Sequence, residues 1–291
     1  MPSRIIVPLD GSTFAEDALA TALSLVGDSG TLDLVSVNAS APPLAVADYD
    51  DLAREWAMRY LDGLTEKLPP GVDAECHVLV GRPADELRAF IEGSEADLVV
   101  MASHGRGPVT RAWLGSVADS LVRESKLPLM LVHPQHPDEP SYQASVALRR
   151  VLVPLDGSEL AESAVDSAIG TFGPETEMTL IRVVPNPFHT ASSYLPDTIQ
   201  ENEAADRAAA QAETDLAATW GRFDGTTASI QYKVIESDHV GKAIVEYSEA
   251  HDFDAIAIAS HGRGGVRRLA LGSVADKVLR SARRPVLILR P

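Results

Sequence analysis

Cysteine, basic residues and long apolar runs are all scarce in this 291-residue chain. The single cysteine, Cys76, excludes an internal disulfide and is compatible with a reducing cytosol. Lys and Arg number 25 against 42 Asp and Glu, and the resulting net charge of −17 repels phosphate backbones and anionic lipid. Neither nucleic acid nor a membrane surface is therefore expected as a partner.

The apolar runs are too short for a membrane span, which needs about 20 consecutive apolar residues. The first run begins at Ile5 and is interrupted by Pro8 and Asp10, so it does not resemble a secretory signal. We therefore expect a cytoplasmic protein. Hydrophobic residues still make up 45% of the chain, which is typical of folded globular domains.

The most informative feature that is present is an internal repeat. RIIVPLDGSTFAEDALATAL from Arg4 matches RVLVPLDGSELAESAVDSAI from Arg150, an offset of 146 residues. ASHGRGPVTRAWLGSVAD from Ala102 matches ASHGRGGVRRLALGSVAD from Ala259, an offset of 157 residues. The second copy therefore carries a net insertion of 11 residues, which we place in the Pro/Ser-rich segment that begins at Pro185. The repeat predicts two domains, residues 1–135 and 148–291, joined by a Pro-rich linker.

Each half alternates short Val- and Ile-rich runs with longer segments of helical periodicity. In the first half the runs predict five buried strands: Ile5–Leu9, Leu32–Val37, His77–Val80, Leu98–Ala102 and Leu129–Val132. The second helix is assigned an apolar stripe of Leu52, Trp56, Met58–Arg59, Leu61 and Leu64. Strands that alternate with helices favour parallel pairing through right-handed crossovers. The sequence therefore predicts an α/β protein with two tandem, doubly wound, Rossmann-like domains of five parallel strands each.

The repeated glycine stretch has the features of an anion-binding loop. It follows the predicted fourth strand, and ligands in open parallel sheets bind beyond the carboxyl ends of strands. Ser116 is predicted to cap the next helix, whose first N–H groups and dipole would attract an anion. Gly105 and Gly115 would let the backbone approach that anion closely. Residues 103–117 and 260–274 contain arginines and no acidic residue, so each stretch is locally positive. The alternative is that the glycines only form turns and the arginines only keep the surface soluble.

Several better-known motifs are excluded by the residues present. The stretch lacks the Gly-Lys-Ser/Thr ending of a Walker A loop and the Gly-x-Gly-x-x-Gly fingerprint of dinucleotide-binding proteins. Met101 stands where a hydrolase nucleophile elbow needs its first glycine. Ser103 and His104 are adjacent, and neighbouring side chains are expected to point apart, which argues against a Ser–His relay. Cys76 lies in an apolar run and is interpreted as a core residue rather than a reactive thiol.

With these residues in view, the chain resembles the universal stress protein family in its tandem-domain, ATP-binding form. The resemblance covers nearly the whole chain, twice. The family motif is Gly-x2-Gly-x9-Gly-Ser/Thr, and its second and third glycines correspond to Gly105 and Gly115 and to Gly262 and Gly272. Ala102 and Ala259 replace the first glycine, and we expect a tighter contact there rather than a lost site. Asp10 and Asp156 match the family's aspartate at the end of strand one, although a turn-forming role before a helix also explains them.

The resemblance implies one adenine-nucleotide site per domain, with ATP as the ligand, with or without Mg²⁺. Val37 and Val183 match the position whose backbone reads adenine in the family. The residues expected to bind the nucleotide are Asp10, Val37, Ala102, Ser103, Gly105, Arg106, Gly115, Ser116 and Val117 in the first half, and Asp156, Val183, Ala259, Ser260, Gly262, Arg263, Gly272, Ser273 and Val274 in the second.

The implied function is ATP-binding regulation of stress adaptation with little or no turnover, and not enzymatic catalysis. Members of the family usually pair through their last strand, so a pseudo-dimer of the two halves and a homodimer of the whole chain are expected. A slow ATPase or autophosphorylating enzyme that uses the same pockets is the alternative. A structural dimer module with vestigial pockets is a third possibility, which the repeated glycine spacing disfavours. Neither a catalytic residue nor a protein metal ligand is assigned.

Overall fold

The computed structural model describes residues 1–27, 30–39, 48–103, 114–133, 148–185, 198–223, 229–261 and 271–290, with the backbone alone for 198–205. These residues divide into two compact units, Met1–Ala147 and Leu148–Leu289. Each unit holds five strands and four helices within its described residues. No helix among those ranges is both long and apolar enough to cross a membrane.

The first unit follows the alternating order that the sequence predicts. Its elements are β1 (Arg4–Pro8), α1 (Thr13–Leu25), β2 (Thr31–Asn38), α2 (Tyr49–Thr65), β3 (Asp73–Val80), α3 (Pro83–Gly93), β4 (Leu98–Ala102), α4 (Ser116–Glu124) and β5 (Leu129–Val132). Proline at the start of α3 is favourable, because the first helical N–H has no acceptor within the helix.

The second unit repeats that order. Its elements are β6 (Arg150–Pro154), α5 (Glu159–Phe172), β7 (Glu177–Val184), α6 (Thr198–Arg222), β8 (Ser229–Glu236), α7 (Val240–Ala250), β9 (Ala255–Ala259), α8 (Ser273–Ser281) and β10 (Val286–Leu289). β2 begins at residue 31 and β7 at 177, an offset of 146, whereas β3 and β8 begin at 73 and 229, an offset of 156. Ten of the eleven extra residues thus lie between β7 and β8, and part of this length belongs to α6, which has 25 residues against 17 in α2.

Each unit contains a five-stranded parallel sheet with the same strand order. The first runs β3-β2-β1-β4-β5 and the second β8-β7-β6-β9-β10. Every pair within each sheet is parallel, so the predicted doubly wound, Rossmann-like fold is confirmed. The strand order reverses between β1 and β4, and between β6 and β9. In such sheets a crevice opens at this point beyond the carboxyl ends of the strands, and ligands bind there.

The assigned apolar stripe of α2 is wrong at four positions, since Leu52, Trp56, Met58 and Arg59 are exposed. Leu52 and Trp56 are 56% and 53% exposed, whereas Ala57, Leu61 and Leu64 are buried. The buried residues recur at steps of four and three, so they alone define the face against the sheet. Trp56 points away from that face and stacks on Tyr60, with ring centroids 5.9 Å apart.

Candidate functional site

The first part of the site is the turn that follows β1. Asp10 Oδ1 accepts hydrogen bonds from the backbone N–H and the hydroxyl of Ser12, at 3.0 and 2.5 Å. Ser12 is the N-cap of α1, and its hydroxyl oxygen accepts a hydrogen bond from the Ala15 N–H at 3.2 Å. Gly11 between them has φ of 78°, a conformation that favours glycine. Asp10 therefore fixes the capping serine and the start of α1 at the crevice.

The second unit builds the same turn. Asp156 Oδ1 accepts from the N–H and hydroxyl of Ser158 at 3.0 and 2.6 Å, and Gly157 has φ of 77°. Ser158 caps α5 through the Ala161 N–H. Ser12 and Ser158 were not predicted as site residues, although a serine directly before a helix is a recognised capping signal. The turn-forming role proposed for the two aspartates is confirmed.

The second part of the site is the backbone at the end of β2. The Leu9 N–H donates to the Val35 carbonyl at 2.8 Å, so the peptide groups of Val35 point towards β1. Alternate residues of a strand point their peptide groups to the same side, and Val37 therefore also points towards β1. Asn38 points the other way, since its carbonyl accepts from the Gly81 N–H at 2.9 Å. Because β1 ends at Pro8, the N–H and C=O of Val37 face the crevice instead of a strand.

Val183 occupies the same position in the second unit. The Leu155 N–H donates to the Ile181 carbonyl at 2.8 Å, and β6 ends at Pro154. The N–H and C=O of Val183 thus face the equivalent crevice. Each unit presents one donor and one acceptor side by side, from a single residue.

The third part of the site joins the end of β4 to the start of α4. Ala102 ends β4, Ser103 is fully buried, and the Gly115 N–H donates to the Ser103 carbonyl at 2.8 Å. Gly115 is the N-cap of α4, with φ of −58° and no side-chain cap. The predicted capping role of Ser116 is wrong, because Ser116 is the first helical residue.

The second unit has the same connection. The Gly272 N–H donates to the Ser260 carbonyl at 2.8 Å, and Gly272 caps α8 with φ of −63°. Ser273 is the first helical residue, as Ser116 is in the first unit. Ala259 ends β9 and is 6% exposed, in line with Ala102 at 7%.

The geometry also changes the reason for glycine at these positions. A Cβ on Gly272 would lie 3.2 Å from the carbonyl oxygen of Ser260 and 3.6 Å from the His261 Cα. The glycine therefore allows the helix terminus to approach the strand end closely, and neither Gly115 nor Gly272 requires positive φ. Its N–H is already engaged by the serine carbonyl. The first-turn N–H groups at Ser116, Val117 and Ala118 lack acceptors within the helix and carry the partial positive charge of its dipole.

Acidic charge near these termini is compensated. Asp119 in the first turn of α4 pairs with Arg123, with Nε to Oδ2 at 2.8 Å. Asp276 and Arg280 repeat the pair in α8 at 3.0 Å. The carboxylates therefore do not cancel the attraction of the helix termini for an anion. Gly105, Arg106, Gly262 and Arg263, also predicted to bind the ligand, lie outside the described residues.

The predicted separation of the Ser103 and His104 side chains stays a prediction, because His104 lies outside the described residues, but the equivalent side chains of the second unit are in contact. Ser260 Oγ lies 3.0 Å from His261 Nδ1, and Ser260 is 1% exposed. The other nucleophile, Cys76, is half-buried away from the carboxyl edge, in the middle of β3. Burial raises the pKa of its thiol, and the Asp62 carboxylate raises it further, so the reactive thiolate is disfavoured.

Comparison with known proteins agrees with this fold. The Universal stress protein family profile matches residues 1–133 and 147–290. Universal stress protein Rv2005c of Mycobacterium tuberculosis is 32% identical over 203 residues, which cover 68% of this chain and 63% of that protein. Universal stress protein Rv2623 of the same species is 27% identical over 229 residues, 76% of this chain and 69% of that protein. The match with Rv2005c thus spans less than two thirds of that relative.

Solved structures show the same architecture. The crystal structure of a universal stress protein from Archaeoglobus fulgidus DSM 4304 has a TM-score of 0.68 at 21% identity, covering 99% of this chain and 98% of the other. PA1789 from Pseudomonas aeruginosa PAO1, titled a functionally unknown protein, has a TM-score of 0.63 at 18% identity, covering 100% and 93%. The family profile matches nearly all of the sequence in two segments, and the chain therefore belongs to the universal stress protein family, with two family domains in tandem.

Proposed function

We propose that each unit binds one adenine nucleotide at its crevice, and that the chain is an ATP-binding regulatory protein of stress adaptation with little or no turnover. The hydrogen bond from Gly115 to Ser103, repeated by Gly272 and Ser260, carries this proposal. This hydrogen bond holds the N-terminus of a helix, which has no side-chain cap, beside the point where the strand order reverses. Paired first-turn N–H groups at such a position suit a phosphate group.

The other parts of the crevice suit the nucleoside. Adenine carries an amino donor beside a ring-nitrogen acceptor, and the C=O and N–H of Val37 or Val183 complement that pair. Asp10 and Asp156 supply carboxylates at the same edge. These carboxylates would accept hydrogen bonds from ribose hydroxyl groups or from the water molecules of a hydrated Mg²⁺. A ligand that bridges these groups would span from the end of β2 to the start of α4.

The composition of this edge supports the proposal of slow or absent turnover. Fast phosphoryl transfer needs a positioned metal, a group that orients the nucleophile and a charge that stabilises the transition state. Among the described residues at the strand ends of both crevices, none is lysine. Binding without hydrolysis would let the nucleotide act as a regulatory signal through differential affinity for two states.

A second candidate function is slow phosphoryl transfer, and it is favoured by a single observation. The contact between Ser260 Oγ and His261 Nδ1 pairs a hydroxyl with a base at the end of β9. Ser260 is almost completely buried, so a phosphate could reach it only after local rearrangement. Turnover measurements separate the two candidates.

We expect nucleotide-stripped protein to bind two ATP molecules per chain in a calorimetric titration. Both units contain the Asp–Gly–Ser turn, the open backbone at the end of the second strand and the glycine-held helix terminus. Mass spectrometry of nucleotide released from freshly purified protein identifies the natural ligand among ATP, ADP and cyclic nucleotides. Folded protein that binds no adenine nucleotide would contradict the proposed function.

We expect ATP turnover far below the ordinary enzyme median of about 10 per second. The measurement is phosphate release in the presence of Mg²⁺, with the Asp10→Ala, Asp156→Ala double variant as the control for contaminating ATPases. Release near that median which disappears in the double variant would establish the enzymatic alternative. A homodimer of the tandem chain and a cytoplasmic location stay predictions.

A further inference from the structure

One side chain at the first crevice has an unsatisfied polar atom. Asn38 is the last residue of β2, directly after Val37, and its Nδ2 is buried with no hydrogen-bond acceptor in reach. Exchange of the amide oxygen and nitrogen would still place a polar atom at that point. Buried polar atoms are nearly always paired, so an unpaired one needs an explanation.

The position of Asn38 in the sheet defines its surroundings. Asn38 pairs with Val80, and Leu34 pairs with Cys76 on the same face of the sheet. Cys76 contacts Asp62 of α2, so this face is the one covered by α2. α1 lies on it too, because the Tyr60 hydroxyl of α2 donates to Glu16 of α1. Asn38 therefore lies at the carboxyl edge of the sheet, on the face covered by α1 and α2.

The second unit has no equivalent group. Val184 ends β7 as Asn38 ends β2, and it is 5% exposed. The two folds are the same around this position, so the fold does not require an amide there. A valine fills this position without a polar group that needs a partner, whereas the Asn38 donor is left unpaired.

We propose that Asn38 contacts the nucleoside part of the nucleotide bound to the first unit, through a hydrogen bond from its amide to a ring nitrogen or ribose oxygen. This inference rests on the proposed function. Asn38 follows the residue whose backbone faces the crevice, and the ligand supplies the acceptor that the protein lacks. The first site consequently binds adenine nucleotides more tightly than the second, where Val184 offers no donor.

The substitution Asn38→Val copies the second unit into the first. Two effects of opposite direction are expected. The melting temperature of the nucleotide-free protein stays the same or rises, because an unpaired buried amide is removed and valine favours strands. Affinity for ATP falls about two- to tenfold at one of the two sites, which corresponds to one lost hydrogen bond. Adenosine as the probe shows the same fold-loss, since the contact is with the nucleoside.

Ser36→Ala is the matched control. Ser36 lies two residues earlier on the same face and is buried at 5% exposure, below the crevice. Its removal should leave both ATP affinities unchanged. A calorimetric titration of wild type, Asn38→Val and Ser36→Ala with ATP and with adenosine supplies the comparison.

The outcomes separate this inference from the proposed function. Wild-type protein that binds no nucleotide overturns the proposed function and the inference together. Wild-type protein that binds two nucleotides, with unchanged affinities in Asn38→Val, overturns the inference alone. A lower melting temperature in nucleotide-free Asn38→Val would also overturn it, because the amide would then have a structural role.

Discussion

The double variant Gly115→Val, Gly272→Val is expected to lose the whole increase in melting temperature that ATP gives the wild-type protein. A valine Cβ at position 272 would lie 3.2 Å from the Ser260 carbonyl oxygen, so the start of α8 and the end of β9 must separate by a few tenths of an ångström, and the valine methyl groups add bulk beside the first-turn N–H groups. Both changes hinder the approach of a phosphate group to these N–H groups. Wild-type protein with ATP at 100 times the dissociation constant gains about 2.7 kcal/mol per site by mass action. Each single variant should lose one site, and the double variant both.

The nucleotide-free variants should still fold. Both glycines have negative φ, so valine brings no left-handed strain, and crowding of a packed position costs about 1–3 kcal/mol. Gly170→Val in α5 is the control, because a Cβ there meets nothing within 4 Å. It should leave the ATP-dependent increase unchanged. A folded double variant that keeps the full increase would mean that the nucleotide does not bind at these helix termini.

Arg4→Leu is expected to reduce the free energy of unfolding by about 3 kcal/mol, the largest stability loss predicted for one change. Asp33 is completely buried, and Arg4 holds it with two hydrogen bonds of 2.7 Å while also contacting Glu75 at 2.6 Å. The hydrogen bond with Asp33 raises the pKa of the Arg4 guanidinium. Leucine would leave the buried carboxylate with His77, 2.9 Å away, as its remaining described partner. A third of the Arg4 side chain is exposed, so the loss should fall at the lower end of the 3–5 kcal/mol range for broken buried pairs.

Arg150→Leu tests the same change where the partner is exposed. Arg150 occupies the position of Arg4 in the second unit, but Thr179 replaces Asp33 there, and the Arg150 guanidinium pairs with the exposed Glu177 carboxylate at 3.9 Å. Exposed pairs contribute little, so the loss should stay below about 1 kcal/mol. Urea-induced unfolding of both variants provides the comparison. Equal losses would show that the buried carboxylate contributes nothing beyond an ordinary surface pair.

The cluster of Asp33, Glu75 and His77 also illustrates why ligand types alone do not identify a metal site. Their donor atoms lie within 4.8 Å of one another. However, the guanidinium of Arg4 binds both carboxylates. The positive charge that such a cluster needs is therefore already supplied by the protein.

Local periodicity predicted much of the fold, because buried parallel strands and amphipathic helices have distinct sequence patterns. The strands at Leu98–Ala102 and Leu129–Val132 are found at the predicted positions. The helix face of α2 was less predictable. Leu52 and Trp56 are apolar but exposed, since helical spacing alone does not show which of two neighbouring apolar positions meets the sheet.

Some residues of the candidate site were predicted, but the hydrogen bonds that join them were not. Asp10 was placed correctly, whereas the serine that it orients was missed. Ser116 was taken for the helix cap because serine is a common capping residue, but the close contact of Gly115 with Ser103 places the helix start one residue earlier. Hydrogen bonds between residues twelve positions apart form only when two separate segments pack together. Local sequence patterns do not show which segments will do so.

The sequence by itself determined the repeat and the alternation of strands and helices, since these depend on periodicity and residue spacing. The tertiary structure decided which polar groups near the crevice already have hydrogen-bond partners within the protein. It showed that the Gly115 and Gly272 N–H groups are bound by serine carbonyls, that the peptide groups of Val37 and Val183 extend past the end of a neighbouring strand, and that the Asn38 amide is buried without an acceptor. These properties arise from contacts between segments distant in the chain, and burial and pairing exist only once those segments have packed together.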